Sequence, residues 1–207
     1  MIFSKLKSYI NGLVSNFGSI PSDRVKDLKT VADYILSKKK SEEMARLNYI
    51  CTHNSRRSHL AQIWTQTAAA YYGIKDLETY SGGTEATAFN PRAVAAIERA
   101  GFKVQNPDGE NPRYEVSFSD EAEPMICFSK KFYDDFNPDK NFAAIMTCSD
   151  ADENCPFVPG AEFRKSITYV DPKVADGTDK EAEVYDERCK QIATEMFYMM
   201  SLLRSGL

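Results

Sequence analysis

A short run that is apolar at Leu47, Tyr49 and Ile50 leads without a break into Cys51 and a polar loop, and the loop opens onto a helix-period stretch over residues 58–72. Strand, loop and helix in that order place the loop at the carboxyl end of a parallel sheet. The alternation repeats downstream. Residues 77–81 read as a second short strand closed by Gly82 and Gly83, and residues 91–100 as a helix with Pro91 in its first turn and Gly101 just past its end. Residues 142–147 are a further buried strand and 167–170 the last one. Residues 181–203, with Tyr185, Ile192, Met196 and Met199 on one face, form a long closing helix. Residues 114–118 and 125–128, separated by the acidic turn 120–123, read as an inserted hairpin. Strands alternating with helices imply an α/β sandwich with a mostly parallel sheet.

Ahead of this pattern, Phe3, Leu6, Tyr9, Ile10, Leu13, Val14 and Phe17 recur at helical intervals and stop at Gly18. After Pro21 the interval returns at Val25, Leu28, Val31, Ala32, Ile35 and Leu36, and the polar run 37–43 reads as a linker or frayed end. Residues 1–43 are thus expected to be a helical hairpin placed before a main domain of residues 44–207. A chain of 207 residues supports one main core with a modest extension. With 43% apolar and 27% charged residues, and no apolar run approaching a membrane span, the composition is that of a soluble globular protein. The first residues lack the pattern of a secretory signal, so the cytoplasm is the expected compartment. A net charge of -4 argues against a general nucleic-acid or anionic-membrane binder. Five cysteines make an odd set, which argues for thiols that are reactive or simply buried rather than for a disulfide framework.

Cys51-Thr52-His53-Asn54-Ser55-Arg56-Arg57-Ser58 sets a Cys and an Arg around a short loop, followed by a hydroxyl. A loop of this length can curl its backbone N–H groups inward and, with the helix N-terminus behind it, make a nest for a tetrahedral oxyanion. Asn54 and Ser55 suit the tight part of that curl. Arg57 supplies a planar fork that takes two anion oxygens at once. The same environment, with a hydroxyl donated by Ser58, favours the thiolate of Cys51 and makes it a nucleophile. His53 and His59 are the only histidines, and no other Cys/His pair has ligand spacing, so no metal and no cofactor is expected. A Cys-His hydrolase would not require Arg57.

These residues resemble the low-molecular-weight protein tyrosine phosphatase superfamily and, within it, the thioredoxin-coupled arsenate reductases. Carrying the resemblance are the Cys51 to Ser58 loop, Ser81-Gly82-Gly83-Thr84-Glu85, Asn90-Pro91, and Cys148-Ser149-Asp150-Ala151-Asp152-Glu153-Asn154-Cys155-Pro156. It implies a three-layer sandwich on a mostly parallel four-stranded sheet. It also implies an oxyanion site made by Thr52, His53, Asn54, Ser55, Arg56 and Arg57. The second cysteine pair separates the reductases from the phosphatases, because reducing arsenate to arsenite consumes two electrons, which two thiols supply by forming a disulfide. In the implied relay Cys51 attacks arsenic, Cys148 attacks Cys51, and Cys155 attacks Cys148, leaving a Cys148–Cys155 disulfide for a thioredoxin-like reductant. The segment between the two cysteines is expected to be a surface loop able to change shape. Asp171, in Asp171-Pro172, matches the place of the family's general acid, whereas Cys127 and Cys189 read as packing residues.

Departures from the pattern are Gln62, where many of these reductases carry an acidic residue tied to a potassium site, His53 in place of a small residue, and Arg56, which is expected to make the rim more basic. An arsenate reductase is therefore expected, with the alternative of a phosphatase on phosphotyrosine or a small phosphoester whose second cysteine pair protects Cys51. A module that only binds phosphate or sulfate is a third reading, weakened by Cys51, Arg57 and a candidate acid occurring together.

Overall fold

The computed structural model describes residues 1–154 and 157–206. Helix α1 (Ser4–Val14) buries Leu6, Ile10 and Leu13, and α2 (Ser22–Lys40) buries Leu28, Val31, Ala32 and Ile35, as the helical spacing predicts. Of the polar run 37–43, expected to be a linker or a frayed end, the first part is helical as far as Lys40. Lys38, Lys39 and Lys40 in the last turn complement the negative end of the helix dipole, and Lys38 ion-pairs with Glu43 at 2.6 Å and with Glu162.

The chain then runs through β1 (Ala45–Cys51), α3 (Arg57–Tyr72), β2 (Leu77–Gly83) and α4 (Pro91–Ala100). Short strands β3 (Lys103–Gln105), β4 (Tyr114–Ser117) and β5 (Met125–Cys127) follow. The chain closes with β6 (Phe142–Met146), α5 (Ser149–Asn154), β7 (Ala161–Ser166) and α6 (Glu181–Ser201). The main sheet has the order β2-β1-β6-β7 and is parallel throughout. From β1 the chain crosses to β2 on one side, whereas β6 lies on the other side and leads outward to β7. The carboxyl ends of β1 and β6 therefore form a switch point, the crevice at which ligands bind in open α/β sheets. Cys51 is the last residue of β1 and Cys148 lies just beyond β6.

Three expectations change. The inserted hairpin is part of a separate three-stranded antiparallel sheet, β3-β4-β5. The last strand is β7, and residues 167–170 are an extended segment beyond it. Period-2 reasoning passed over β7 because Glu162, Arg164 and Lys165 make this edge strand look solvated, and charge is a common way to guard an edge. Here α2 also covers that edge: Tyr34 stacks on Phe163 at 5.0 Å, and Lys165 pairs with Asp27 at 2.7 Å. Finally, most of the segment after Cys148 is the short helix α5 rather than a plain loop, with Asp150 and Asp152 in its first turn, where carboxylates suit the helix dipole.

Leu6, Ile10, Leu28 and Ile35 belong to the same continuous apolar cluster as Tyr49, Trp64, Ile145 and Phe197. Gly101 ends α4 at φ +116, and a Cβ there would lie 2.5 Å from the backbone N of Leu6, so α1 rests directly on that turn. A smaller cluster on the other side of the sheet contains Ile50, Cys51, Met146, Cys148 and Ala151.

Candidate active site

The loop after β1 is held from beneath by the end of β2. Glu85 N–H donates to the Thr52 carbonyl at 2.8 Å and Thr84 N–H to the Cys51 carbonyl at 3.2 Å. A Cβ at Gly83 would lie 2.6 Å from the Thr52 carbonyl oxygen and 2.7 Å from Asn54 N, so only glycine permits this approach. Asn54 turns the loop with a left-handed φ of 44, a conformation that Asn tolerates.

The side chain of Asn54 fixes the polarity around the sulfur. Its Oδ1 accepts the Lys130 backbone N–H at 3.0 Å, which leaves Nδ2 to donate to Ser58 Oγ at 2.9 Å. Since Ser58 Oγ already accepts that bond, its own hydrogen is free for Cys51 Sγ at 3.1 Å. The buried thiol thus faces a hydroxyl oriented to donate to it.

Arg57 is buried, donating through one terminal nitrogen to the Tyr169 carbonyl and through the other to Asp171 Oδ2, each at 2.9 Å. Asp171 Oδ1 accepts the Lys173 N–H at 3.1 Å, capping the 3-10 turn Pro172–Ala175. Arg56 departs from expectation. Its Nε donates to the Tyr185 hydroxyl at 2.9 Å and lies 3.7 Å from Asp171, while its terminal nitrogen is 3.8 Å from Asp176. Two carboxylates offset the added basic charge at the rim.

Among the other loop residues, Ser55 Oγ donates to the Ala88 carbonyl at 2.7 Å, and His53 lies 3.5 Å from Glu85 at the half-exposed rim. The side chains of Asn54, Ser55 and Arg56 are thus engaged within the protein rather than turned to an anion. Thr52 Oγ1 lies 3.4 Å from Cys148 Sγ, so the second cysteine borders the residue next to Cys51. Cys148 is buried and accepts the Ala151 N–H at 3.3 Å. Cys155 lies outside the described residues. A cleft of about 390 Å³ opens beside these groups, lined by Thr52, His53, Arg57, Ser149, Tyr169 and Asp171 among others.

Cys127 and Cys189 are core residues, and burial pushes each thiol up to about 12. His59 is buried against Phe89 at 4.2 Å, with Nδ1 3.0 Å from Ser81 Oγ. Burial, and then the nearby Lys130 ammonium, hold it well below the ordinary imidazole range, so it is neutral. Among the described residues no group of three or more His, Cys, Asp or Glu side chains is arranged to hold a metal ion.

Sequence reasoning missed the strap from the insertion. Ser129 Oγ donates to the His53 carbonyl at 2.8 Å, Lys130 N–H to Asn54, and the Gly83 N–H to the Lys130 carbonyl at 2.8 Å. These bonds use mostly main-chain atoms far apart along the chain, which leave no signature in residue types. Lys130 is itself buried against the Phe128 and Phe136 rings, and desolvation brings its ammonium down to about 8.

A parallel α/β sheet with a Cys-to-Arg loop at its switch point defines a class of cysteine-bearing oxyanion folds. Residues 46–113 match the family model "Low molecular weight phosphotyrosine protein phosphatase". An arsenate reductase of Staphylococcus aureus (strain Newman) is 30% identical over 125 residues, covering 60% of this chain and 76% of that protein. An arsenate reductase of Bacillus licheniformis is 29% identical over 142 residues, covering 69% and 84%. Among solved structures, a low-molecular-weight phosphotyrosine phosphatase of Vibrio cholerae O395 superposes with a TM-score of 0.51 at 13% identity, covering 77% of this chain and 96% of that one. "An arsenate reductase in the phosphate binding state" superposes with a TM-score of 0.50 at 18% identity, covering 77% and 98%. The chain belongs to the low-molecular-weight phosphotyrosine protein phosphatase family.

Proposed function

We propose that this protein is an arsenate reductase that works through Cys51, Cys148 and Cys155. The observation that carries the reading is the 3.4 Å approach of Cys148 Sγ to the Thr52 hydroxyl, which sets a second thiol at the switch point beside the nucleophile. A hydrolase needs no such thiol. The names of the relatives from Staphylococcus aureus and Bacillus licheniformis point the same way.

Cys51 thiolate attacks arsenic and displaces one oxygen as water, protonated by Asp171 or by solvent. Arg57 and the loop amides take the charge of the remaining oxygens, and binding the anion requires Arg57 to turn part of its fork from Asp171 toward the cleft. Cys148 thiolate then attacks Cys51 Sγ. The sulfur–sulfur bond forms, the sulfur–arsenic bond breaks, and its electron pair stays on arsenic, which leaves as arsenite. Cys155 attacks Cys148 and frees Cys51. Two thiols are oxidised to a disulfide as one arsenic is reduced by two electrons, and an external dithiol, thioredoxin or a relative, restores them. Such a cycle suits the cytoplasm, where thiols are kept reduced. No helix among the described residues is long and apolar enough to cross a membrane.

With arsenate and a thioredoxin system, the wild-type protein is expected to consume reductant over many cycles and a Cys155→Ser variant to stop after one. Multiple turnover by that variant would count against the relay. A second reading, phosphoester hydrolysis through a cysteinyl-phosphate, is supported by the family match and by Asp171 lining the same cleft as Arg57, where its carboxyl, once released from Arg57 and protonated, would serve a leaving group. It predicts hydrolysis that is indifferent to Cys155.

A further inference from the structure

The segment carrying Asp171 continues past β7, with the Ile167 N–H on the Met146 carbonyl at 2.9 Å and the Tyr169 N–H on the Thr147 carbonyl at 3.1 Å. β7 ends at Ser166, and two of Arg57's hydrogen bonds, to the Tyr169 carbonyl and to Asp171, depend on where the segment beyond it lies. The N-terminal extension adds side-chain contacts to this main-chain pairing. Its helix α2 covers β7 through Tyr34 and Asp27, and at the start of the same helix Arg24 reaches the segment itself.

One guanidinium makes three contacts there. A terminal nitrogen of Arg24 donates to the Thr168 carbonyl at 2.5 Å, its Nε lies 3.3 Å from Glu195 Oε2, and its plane sits over the Tyr169 ring at 5.0 Å. Glu195, buried on α6, receives the Tyr169 hydroxyl at 2.7 Å on that same oxygen and the Gln191 amide at 3.3 Å on the other. Thr168 is thereby held by its main chain and Tyr169 by its ring and hydroxyl, which leaves the Tyr169 carbonyl facing Arg57. An arginine in the first turn of a helix opposes the helix dipole. Its presence at position 24 is accounted for by the Thr168 carbonyl and the Glu195 carboxylate and not by the needs of α2.

We propose that Arg24 is a positioning residue: by fixing Thr168 and Tyr169 against Glu195 it sets the carbonyl that orients Arg57 and the approach of Asp171, so that the N-terminal extension tunes oxyanion binding. The inference rests on the oxyanion-site reading given above. It distinguishes the extension from a packing appendage, because the ion pairs of Lys26 and Asp27 on the same helix are made away from Thr168 and Tyr169. Lys26 pairs with Asp23 at the surface, and Asp27 with Lys165 on β7.

The test compares wild type with Arg24→Gln, Arg24→Lys, Asp27→Asn and Lys26→Gln in the full chain. Inorganic phosphate affinity is measured by calorimetry, and hydrolysis is measured on aryl phosphates with good and poor leaving groups. Arg24→Gln is expected to weaken phosphate binding at least fivefold, and to slow a poor leaving group such as phenol more than a good one such as p-nitrophenol. Arg24→Lys keeps the charge but cannot serve Thr168 and Glu195 with one fork, so its loss is intermediate; it stands in for Arg24→Gln if that variant does not fold. Asp27→Asn lowers the melting temperature without moving either readout, and Lys26→Gln moves nothing. Equal phosphate affinity in wild type and both Arg24 variants overturns the inference and leaves the site intact. A wild-type protein that binds neither phosphate nor arsenate overturns the oxyanion site, and this inference with it.

Discussion

All four cysteines among the described residues are buried, yet they sit in two different settings. Cys127 and Cys189 lie in the apolar core. The one hydrogen-bond donor recorded there, Trp64 Nε1 at 3.3 Å from Cys189, does not offset burial, and both thiols are pushed up to about 12. Cys51 and Cys148 lie at the carboxyl ends of β1 and β6, where polar groups converge: the Ser58 hydroxyl on one, the Ala151 N–H and the Thr52 hydroxyl on the other. Burial therefore does not distinguish the two pairs of thiols in this protein. Polar neighbours at the sheet switch point do.

The strongest challenge to that contrast is Cys51→Ser, expected to abolish both arsenate reduction and phosphoester hydrolysis by about four orders of magnitude or more, read as steady-state rates. Cys148→Ser sharpens it. Reduction is expected to halt while phosphate affinity stays near wild type, and loss of affinity would place Cys148 in the anion site instead of beside it. Arg57→Lys keeps the charge but not the fork, and is expected to lower kcat/KM by roughly 10²-fold. Ser58→Ala removes the hydroxyl donor from the sulfur, and alkylation of Cys51 by iodoacetamide at neutral pH should slow by about tenfold.

The smallest effects belong to the core pair. Cys127→Ala and Cys189→Ala are expected to leave turnover unchanged and to cost about 1 kcal/mol of stability each below pH 9. Above that pH the sign of the thiol contribution changes. An unfolded thiol ionises near its ordinary value of 9, whereas the folded thiols hold their protons up to about 12. The unfolded state thus loses protons first, and each core thiol lowers stability progressively as pH rises from about 9 toward 12. Denaturation at pH 8 and pH 10 should show the wild-type advantage over each alanine variant shrinking by about 1 kcal/mol. A constant difference would mean that the core thiols are not shielded.

Residue types in order along the chain were sufficient for the helices of the extension, the parallel alternation and the Cys51 loop, because periodicity and strand–loop–helix order are local properties. The loop's membership was legible for the same reason: Cys51, Arg57 and Ser58 stand within a few residues of one another. Edge strand β7 was not, since its charges mimic a solvated segment until α2 is seen lying across it. Nor was the pairing of Arg56 with Asp171 and Asp176, which offsets the basic charge expected at the rim.

What the sequence alone determined is the class of fold and the identity of the groups at its crevice, both carried by short-range patterns that survive in one dimension. The tertiary structure decided how those groups are held. Asn54 takes its polarity from the Lys130 amide, Arg24 and Glu195 meet Thr168 and Tyr169 just ahead of Asp171, and Cys148 meets Thr52 across the β1/β6 switch point. Each is a contact between atoms far apart along the chain, many of them main-chain groups common to every residue. Only the folding of the sheet, and not the spelling of the sequence, brings them within reach.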